Sequence, residues 1–293
     1  MFGFLKKQRR DRIRSQPFPS DWRDILVRHY STYFRLPPAD RKELEGHILV
    51  FLEEKRFEGC GGQDITDEVR VLIAAQACLL LLHRDTDYYP ELKTVLVYPS
   101  TYVARTHWRE EQEITDWRNR VRLGESWPSG AVVLAWDAAL AGAADPADGQ
   151  NVVLHEFAHQ LDQENGAADG FPPLSGSGIL ERWGRYTTWA RILGNEFRQL
   201  NSALEQNLET VLNAYGAKDP AEFFAVATEC FFEKPRQLKA EFFAVATECF
   251  FEKPRQLKER HPELYAELKQ FYQQDPLLYV AAGGENNEYL AQA

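Results

Sequence analysis

Long apolar runs are missing from this chain of 293 residues. A membrane-spanning helix needs about 18 consecutive apolar residues. The best stretch, residues 69–82, is interrupted by Arg70 and Gln76 and reads instead as a buried helix. Cysteine is scarce, with only Cys60, Cys78, Cys230 and Cys249, and none of these stands in a C-x-x-C pair. No signal peptide is recognisable, so these thiols read as reduced packing residues of a cytoplasmic protein. An excess of positive charge is absent as well. The formal net charge is −10, which argues against direct contact with nucleic acid.

One segment departs from that balance. M-F-G-F-L-K-K-Q-R-R-D-R-I-R places six basic residues in the first fourteen. A secretory signal has its charges ahead of a longer apolar run, and here the order is reversed. Residues 1–19 are therefore expected to be a basic, disordered, solvated tail. Weak attachment to anionic lipid or to an acidic partner is the alternative.

With 44% hydrophobic residues the chain can bury a sizeable core. Apolar residues recur at three- and four-residue steps over 20–58, predicting two helices separated by Pro37 and Pro38. Asp64 is a candidate cap for a helix running to about His83. T-V-L-V-Y, residues 94–98, and G-A-V-V-L-A-W, residues 130–136, are short, β-rich and bounded by turn residues, so both read as strands. Helices are predicted over 151–163, 179–200, 202–214, 220–233 and 262–273. The order helices, strands, helices gives an α+β class, mostly helical, with a small antiparallel or mixed sheet. No linker stands out. Residues 20–280 are expected to form one domain with an N-terminal helical part, followed by a C-terminal tail over 281–293.

The repeat structure is abnormal. Residues 221–239 read A-E-F-F-A-V-A-T-E-C-F-F-E-K-P-R-Q-L-K, and 240–258 repeat them without a difference. Structural repeats diverge, and a solenoid needs about three units. Two identical copies point to a recent duplication or a fault in sequence assembly, and they make Cys230 and Cys249 one cysteine counted twice.

The chemistry concentrates in H-E-F-A-H, residues 155–159. Residues four apart share one helix face, so His155 and His159 can offer imidazole nitrogens to a single ion, for which zinc is well suited. Glu156 sits one step round the helix and need not bind the metal. In H-E-x-x-H metallopeptidases a glutamate so placed is the general base. Asn151 is a plausible N-cap. Asp162 is either a hydrogen-bond acceptor for a histidine ring nitrogen or a polar helix end. Position 165 is Asn, so the extended motif with a third histidine is absent, and His29, His47, His83, His107 and His261 lie in other elements. A carboxylate on an otherwise apolar helix is the alternative ligand. Glu222 in D-P-A-E-F-F-A-V-A-T-E is such a residue. It is either a metal partner or a first-turn glutamate favoured by the helix dipole. Glu229, seven residues on, is either a partner behind the ligands or exposed.

Five motifs, H-E-F-A-H-Q-L-D-Q-E-N-G, A-Y-G-A-K-D-P-A-E-F-F-A-V-A-T-E, V-L-V-Y-P-S-T-Y-V, G-E-S-W-P-S-G-A-V-V-L-A-W and F-Y-Q-Q-D-P, resemble the Mlc titration factor A family over roughly residues 20–280. The resemblance implies a cytoplasmic, zincin-like metallopeptidase with one zinc ion and a gluzincin-type site, similar to that of the anthrax lethal factor catalytic domain. It implies His155, His159 and Glu222 as ligands, Glu156 as base and Tyr215 as oxyanion stabiliser. It further implies aminopeptidase-like activity on small peptides and binding to an Mlc-type transcriptional repressor. The alternative is a non-catalytic binding protein that sequesters the repressor around a structural or vestigial metal site. Tyr215 precedes Glu222 by seven residues, and a continuous helical stretch is expected to bring both to the ion. The duplication makes Glu241 a second claimant for third ligand. Nineteen residues at about 100° each leave a ~100° offset, and Pro235 interrupts the run, so one helix cannot present both glutamates alike. Glu222 is preferred because its spacing to Tyr215 and to the histidines matches the family. Strand 130–136 is expected to be an edge that pairs with extended substrate.

Overall fold

The computed structural model describes residues 2–100, 102–103, 121–122, 124–127, 130–146, 148–174, 179–208, 210–233, 262–275 and 278. The helices are α1 (Phe2–Arg14), α2 (Ser20–His29), α3 (Ser31–Arg35), α4 (Pro38–Glu54), α5 (Asp67–Leu79), α6 (Trp136–Ala144), α7 (Val152–Asp162), α8 (Ile179–Glu205), α9 (Pro220–Glu233) and α10 (Pro262–Tyr272). The strands are β1 (Arg56–Gly59), β2 (Thr94–Tyr98), β3 (Tyr102–Val103), β4 (Val121–Arg122), β5 (Gly124–Trp127) and β6 (Ala131–Ala135). The fold is mostly helical around a small sheet.

The sheet is ordered β1-β2-β6-β5. β1 pairs with β2 and β2 with β6, both in parallel, and only β5 runs antiparallel, along β6. Of the antiparallel or mixed sheet expected, the antiparallel form is corrected: three strands make a parallel body with one antiparallel border. The physical reason is the connection: β1 and β2 are joined through helix α5, and a crossover of that length permits parallel pairing. β1 escaped notice because R-F-E-G is short and mostly exposed, without an apolar run. β6 is hydrogen-bonded on both sides, so it cannot be the substrate-pairing edge expected of residues 130–136. β5 occupies that border.

Local chemistry explains the helix limits. Thr66, not Asp64, caps α5 through its hydroxyl, which accepts from Val69 N at 3.3 Å. α5 is buried over nearly its whole length, as its apolar composition requires, and it ends at Leu79. The two helices expected between 179 and 214 are one, running to Glu205. Asn207, in the left-handed region at φ 53°, follows its end. Residues 20–58 hold three helices rather than two, because the chain turns at Tyr30 as well as at Pro37.

The basic segment expected to be a disordered tail is helix α1, docked on α4. Its Arg10 is buried and donates to both carboxylate oxygens of Glu54, at 2.8 and 2.7 Å, and to the backbone oxygen of Asp87 at 2.9 Å. The sequence pattern missed this because the partners lie about 44 and 77 positions away.

Helix α7 lies between core and site. Its inner face carries Phe157, stacked edge-on with Tyr89 at 4.9 Å between ring centroids and tilted against Phe51 at 5.7 Å. The F-Y-Q-Q-D-P motif pins α10 to the same core: Tyr272 meets Thr228 on α9 at 2.7 Å, and Gln274 donates to Leu79 O at 2.8 Å. Among the described residues, no helix is long and apolar enough to cross a membrane.

Candidate metal centre

Helices α7 and α9 pack side by side. On α7 the alternation of V-V-L-H-E-F-A-H-Q-L-D sends Val153, Leu154, Phe157, Ala158 and Leu161 inward, leaving His155 and His159 one turn apart on the face toward α9. Asn151 opens that helix as its cap, with Oδ1 accepting from Leu154 N at 3.0 Å. On α9, Asp219 caps in the same manner, accepting from Glu222 N at 2.9 Å, and Pro220 supplies the pre-set first turn. Gly170 fixes the approach between the two helices. It adopts φ +78°, and a Cβ there would stand 2.5 Å from Pro220 O.

His155, His159 and Glu222 each present one ligand atom, and these atoms lie within 4.8 Å of one another. Glu222 Oε2 is 3.1 Å from His155 Nε2 and 3.2 Å from His159 Nε2. The two rings are edge to face, with centroids 4.9 Å apart. Among the described residues this is the one group of three or more such side chains placed to share an ion.

The second nitrogen of His155 is held by Glu229, whose Oε1 lies 2.6 Å from Nδ1, while its Oε2 accepts from Asn151 N at 2.8 Å. Glu229 is therefore buried behind the histidine and is not exposed. Asp162, expected as a ring acceptor, does not fill that role. Its Oδ2 accepts from Gly170 N at 2.8 Å, and Oδ1 is buried without a partner among the described residues. Burial pushes its carboxyl up to about 6.

Behind Glu229 runs a polar chain that sequence reasoning missed. Asn151 Nδ2 donates to Gln76 Oε1 at 2.9 Å, and Gln76 Nε2 in turn donates to Leu72 O and Ala139 O, each at 3.1 Å. A glutamine inside an apolar run was the available signal. Its amide joins α5 and α6 to the base of α7, one residue short of the helix that carries the histidines.

The outer oxygen of Glu222 has its own donors. Tyr215 O–H reaches Oε1 at 2.9 Å and Lys218 Nζ at 2.7 Å. Tyr215 gets there from a 3-10 turn, Ala214–Ala217, not from a continuous helix with Glu222. The turn is braced by Asn213, whose side chain accepts from Tyr215 N at 2.9 Å. The tyrosine is half exposed, and its ring centroid is 6.0 Å from that of His155. Lys218 also escaped the sequence reading, although its place four residues before Glu222 was a usable signal. Glu241 lies outside the described residues, as does the whole of the second copy of the repeat.

Electrostatically the cluster has more acceptors than protons to share. Burial opposes charge on His155, but hydrogen bonds from its ring to Glu222 and Glu229 outweigh that and push its pKa up to about 10. Burial likewise works against ionised Glu222, yet the two histidines and Lys218 hold its carboxyl well below the usual range. Glu156 is itself buried beside the two histidines. Burial holds its carboxyl above the ordinary value. Such a field around two imidazole nitrogens favours a cation.

The sequence profile of the family described as glucose-regulated metallo-peptidase M90 matches residues 5–240 and again 239–273, so the two matches meet inside the duplicated segment. An uncharacterised protein of Synechocystis is 39% identical over 271 residues, covering 92% of this chain and 90% of that one. Mlc titration factor A of Klebsiella pneumoniae is 31% identical over 256 residues, 86% of each chain. The protein of the same name in Serratia proteamaculans is 29% identical over 266 residues, 88% of each. The family expected from the motifs is thereby shown: the chain belongs to the glucose-regulated metallo-peptidase M90 family, together with the Mlc titration factor A proteins.

Proposed function

We propose that the protein is a zinc-dependent, aminopeptidase-like metallopeptidase with a gluzincin-type site on a zincin-like fold. The observation that carries this reading is the convergence of two imidazole nitrogens and one carboxylate oxygen from α7 and α9. The donor set fits zinc. Ligand atoms about 2.0–2.1 Å from a tetrahedral ion stand about 3.3 Å apart, close to the 3.1 and 3.2 Å between Glu222 Oε2 and the two Nε2 atoms.

In this reading His155, His159 and Glu222 hold the ion, which when bound supplies the Lewis acidity that acidifies water and polarises a scissile carbonyl. Glu156 accepts the proton of the attacking water and returns it to the leaving amine. Its burial suits both transfers, because a raised carboxyl pKa lies nearer neutrality. Glu229 occupies Nδ1 of His155 and so turns the Nε2 lone pair toward Glu222. Tyr215, half exposed at the mouth, offers its hydroxyl to the oxyanion that develops on the substrate. β5, the border strand that touches α7, offers a backbone edge to an extended peptide. Replacement of Glu156 by Gln is the test: the variant should keep its zinc and lose peptide turnover. Full hydrolysis by that variant would remove Glu156 from the role of base.

The names of the enterobacterial relatives favour a second role, binding of an Mlc-type repressor. That role can accompany hydrolysis or stand alone, the latter in a regulatory protein whose metal site is structural or vestigial. A chelator separates the two. Peptidase activity lost with repressor binding retained means two separable functions, whereas a chain that never hydrolyses peptide in the presence of zinc is the regulatory protein alone.

A further inference from the structure

The two oxygens of Glu222 are divided between different sets of donors. Oε2 faces the histidines, and Oε1 faces the Tyr215 hydroxyl and the Lys218 ammonium. Lys218 stands on the last turn before α9, with its side chain about half exposed and that of Glu222 mostly covered. Its Nζ also lies 3.5 Å from the Tyr215 oxygen and 5.2 Å from the centre of that ring. The ammonium is thus tethered at the rim and reaches inward to one oxygen. Asp219, the next residue, is a looser neighbour at 3.8 Å, so the tight pairing is with the candidate ligand.

We propose that Lys218 is a positioning residue for Glu222: by occupying Oε1 together with Tyr215, it holds the carboxylate in the rotation that presents Oε2 alone to His155 and His159. The inference rests on the metal reading above. A glutamate side chain has three rotatable bonds, and a carboxylate held by a charge-assisted hydrogen bond loses less freedom when it binds an ion. Partners of metal ligands commonly set affinity by about tenfold or more. Lys218 acts through Glu222 and touches neither ion nor substrate in this arrangement.

The test is zinc affinity, read by competition with a chromophoric chelator, in the full chain. Thermal melting establishes that each variant folds, which the exposed position of Lys218 favours. Lys218→Met should weaken zinc binding about tenfold, and Lys218→Arg, which keeps a charged donor, should stay within about twofold of the parent. In a Glu222→Ala background, Lys218→Met should have no further effect, because the coupling runs through that carboxylate. Unchanged or tighter zinc binding by Lys218→Met would overturn the proposal, as would an equal loss in the Glu222→Ala background. A parent protein that binds no zinc, or Glu222→Ala binding it as tightly as the parent, would instead remove the metal reading itself.

Discussion

Two regions of this molecule bury charge, and they do it differently. Near the N-terminus, Arg10 spends its guanidinium on Glu54 and Asp87, and the ammonium of Lys55 donates to the carbonyls of Tyr89 and Leu92, at 2.7 Å each. Each buried cation there is matched by acceptors, and the result is a joint between α1, α4 and the loop before β2. Between α7 and α9, three buried carboxylates, Glu156, Glu222 and Glu229, surround two imidazoles. Acceptors are in excess, and among the described residues only Lys218 at the rim brings a permanent positive charge to Glu222. A saturated cluster holds elements together, while an unsaturated one is prepared for something more.

Substitutions should separate the two kinds. The largest effect is expected at Glu156. Its replacement by Gln should lower peptide hydrolysis by about 10²- to 10⁴-fold while leaving the melting temperature and bound zinc unchanged. Next, Arg10→Ala should destabilise the fold by about 3 kcal/mol, read by denaturant titration, because the half-buried Glu54 loses the buried cation that pairs with it. Zinc affinity should not move. Loss of both together would mean that the joint and the site are one unit.

Lys55 adds a pH dependence. Burial lowers its pKa to about 8, below its unfolded value. The unfolded chain therefore holds the extra proton between about pH 8 and 10.4, and stability from this group rises through that window rather than falling. The parent should gain about 2 kcal/mol relative to Lys55→Met between pH 8 and 10, measured as the difference between paired unfolding curves. A flat difference would place the lysine in water. The smallest effect is expected at Glu229. Exchange for Gln should weaken zinc binding about tenfold, with little change in stability, because the amide oxygen still accepts from Asn151 N.

Apolar composition and alternation made α7, α9 and the two inner strands legible, because α7, α9 and β6 are buried over most of their length and β2 buries every other residue. The H-E-F-A-H spacing drew His155 and His159 to one face, and an acidic residue in an apolar helix drew attention to Glu222. What lay hidden was non-local. α1 looked like a solvated tail because its anchoring carboxylates are dozens of residues away. β1 carries no apolar signature, so the parallel character of the sheet could not be read from it. The acceptor behind His155 is Glu229 rather than Asp162, since Asp162 is drawn off by the Gly170 backbone. Gln76 and Lys218 each showed a local oddity, a polar residue in an apolar run and a cation four places before a glutamate. Only packing reveals what those oddities serve.

The most direct test of the account is the metal content of the purified protein beside His155→Ala, His159→Ala and Glu222→Ala. One zinc per chain in the parent, lost or sharply weakened in each of the three, is the predicted result. A parent without zinc, or variants that retain it undiminished, would contradict the assignment of this cluster as a metal centre.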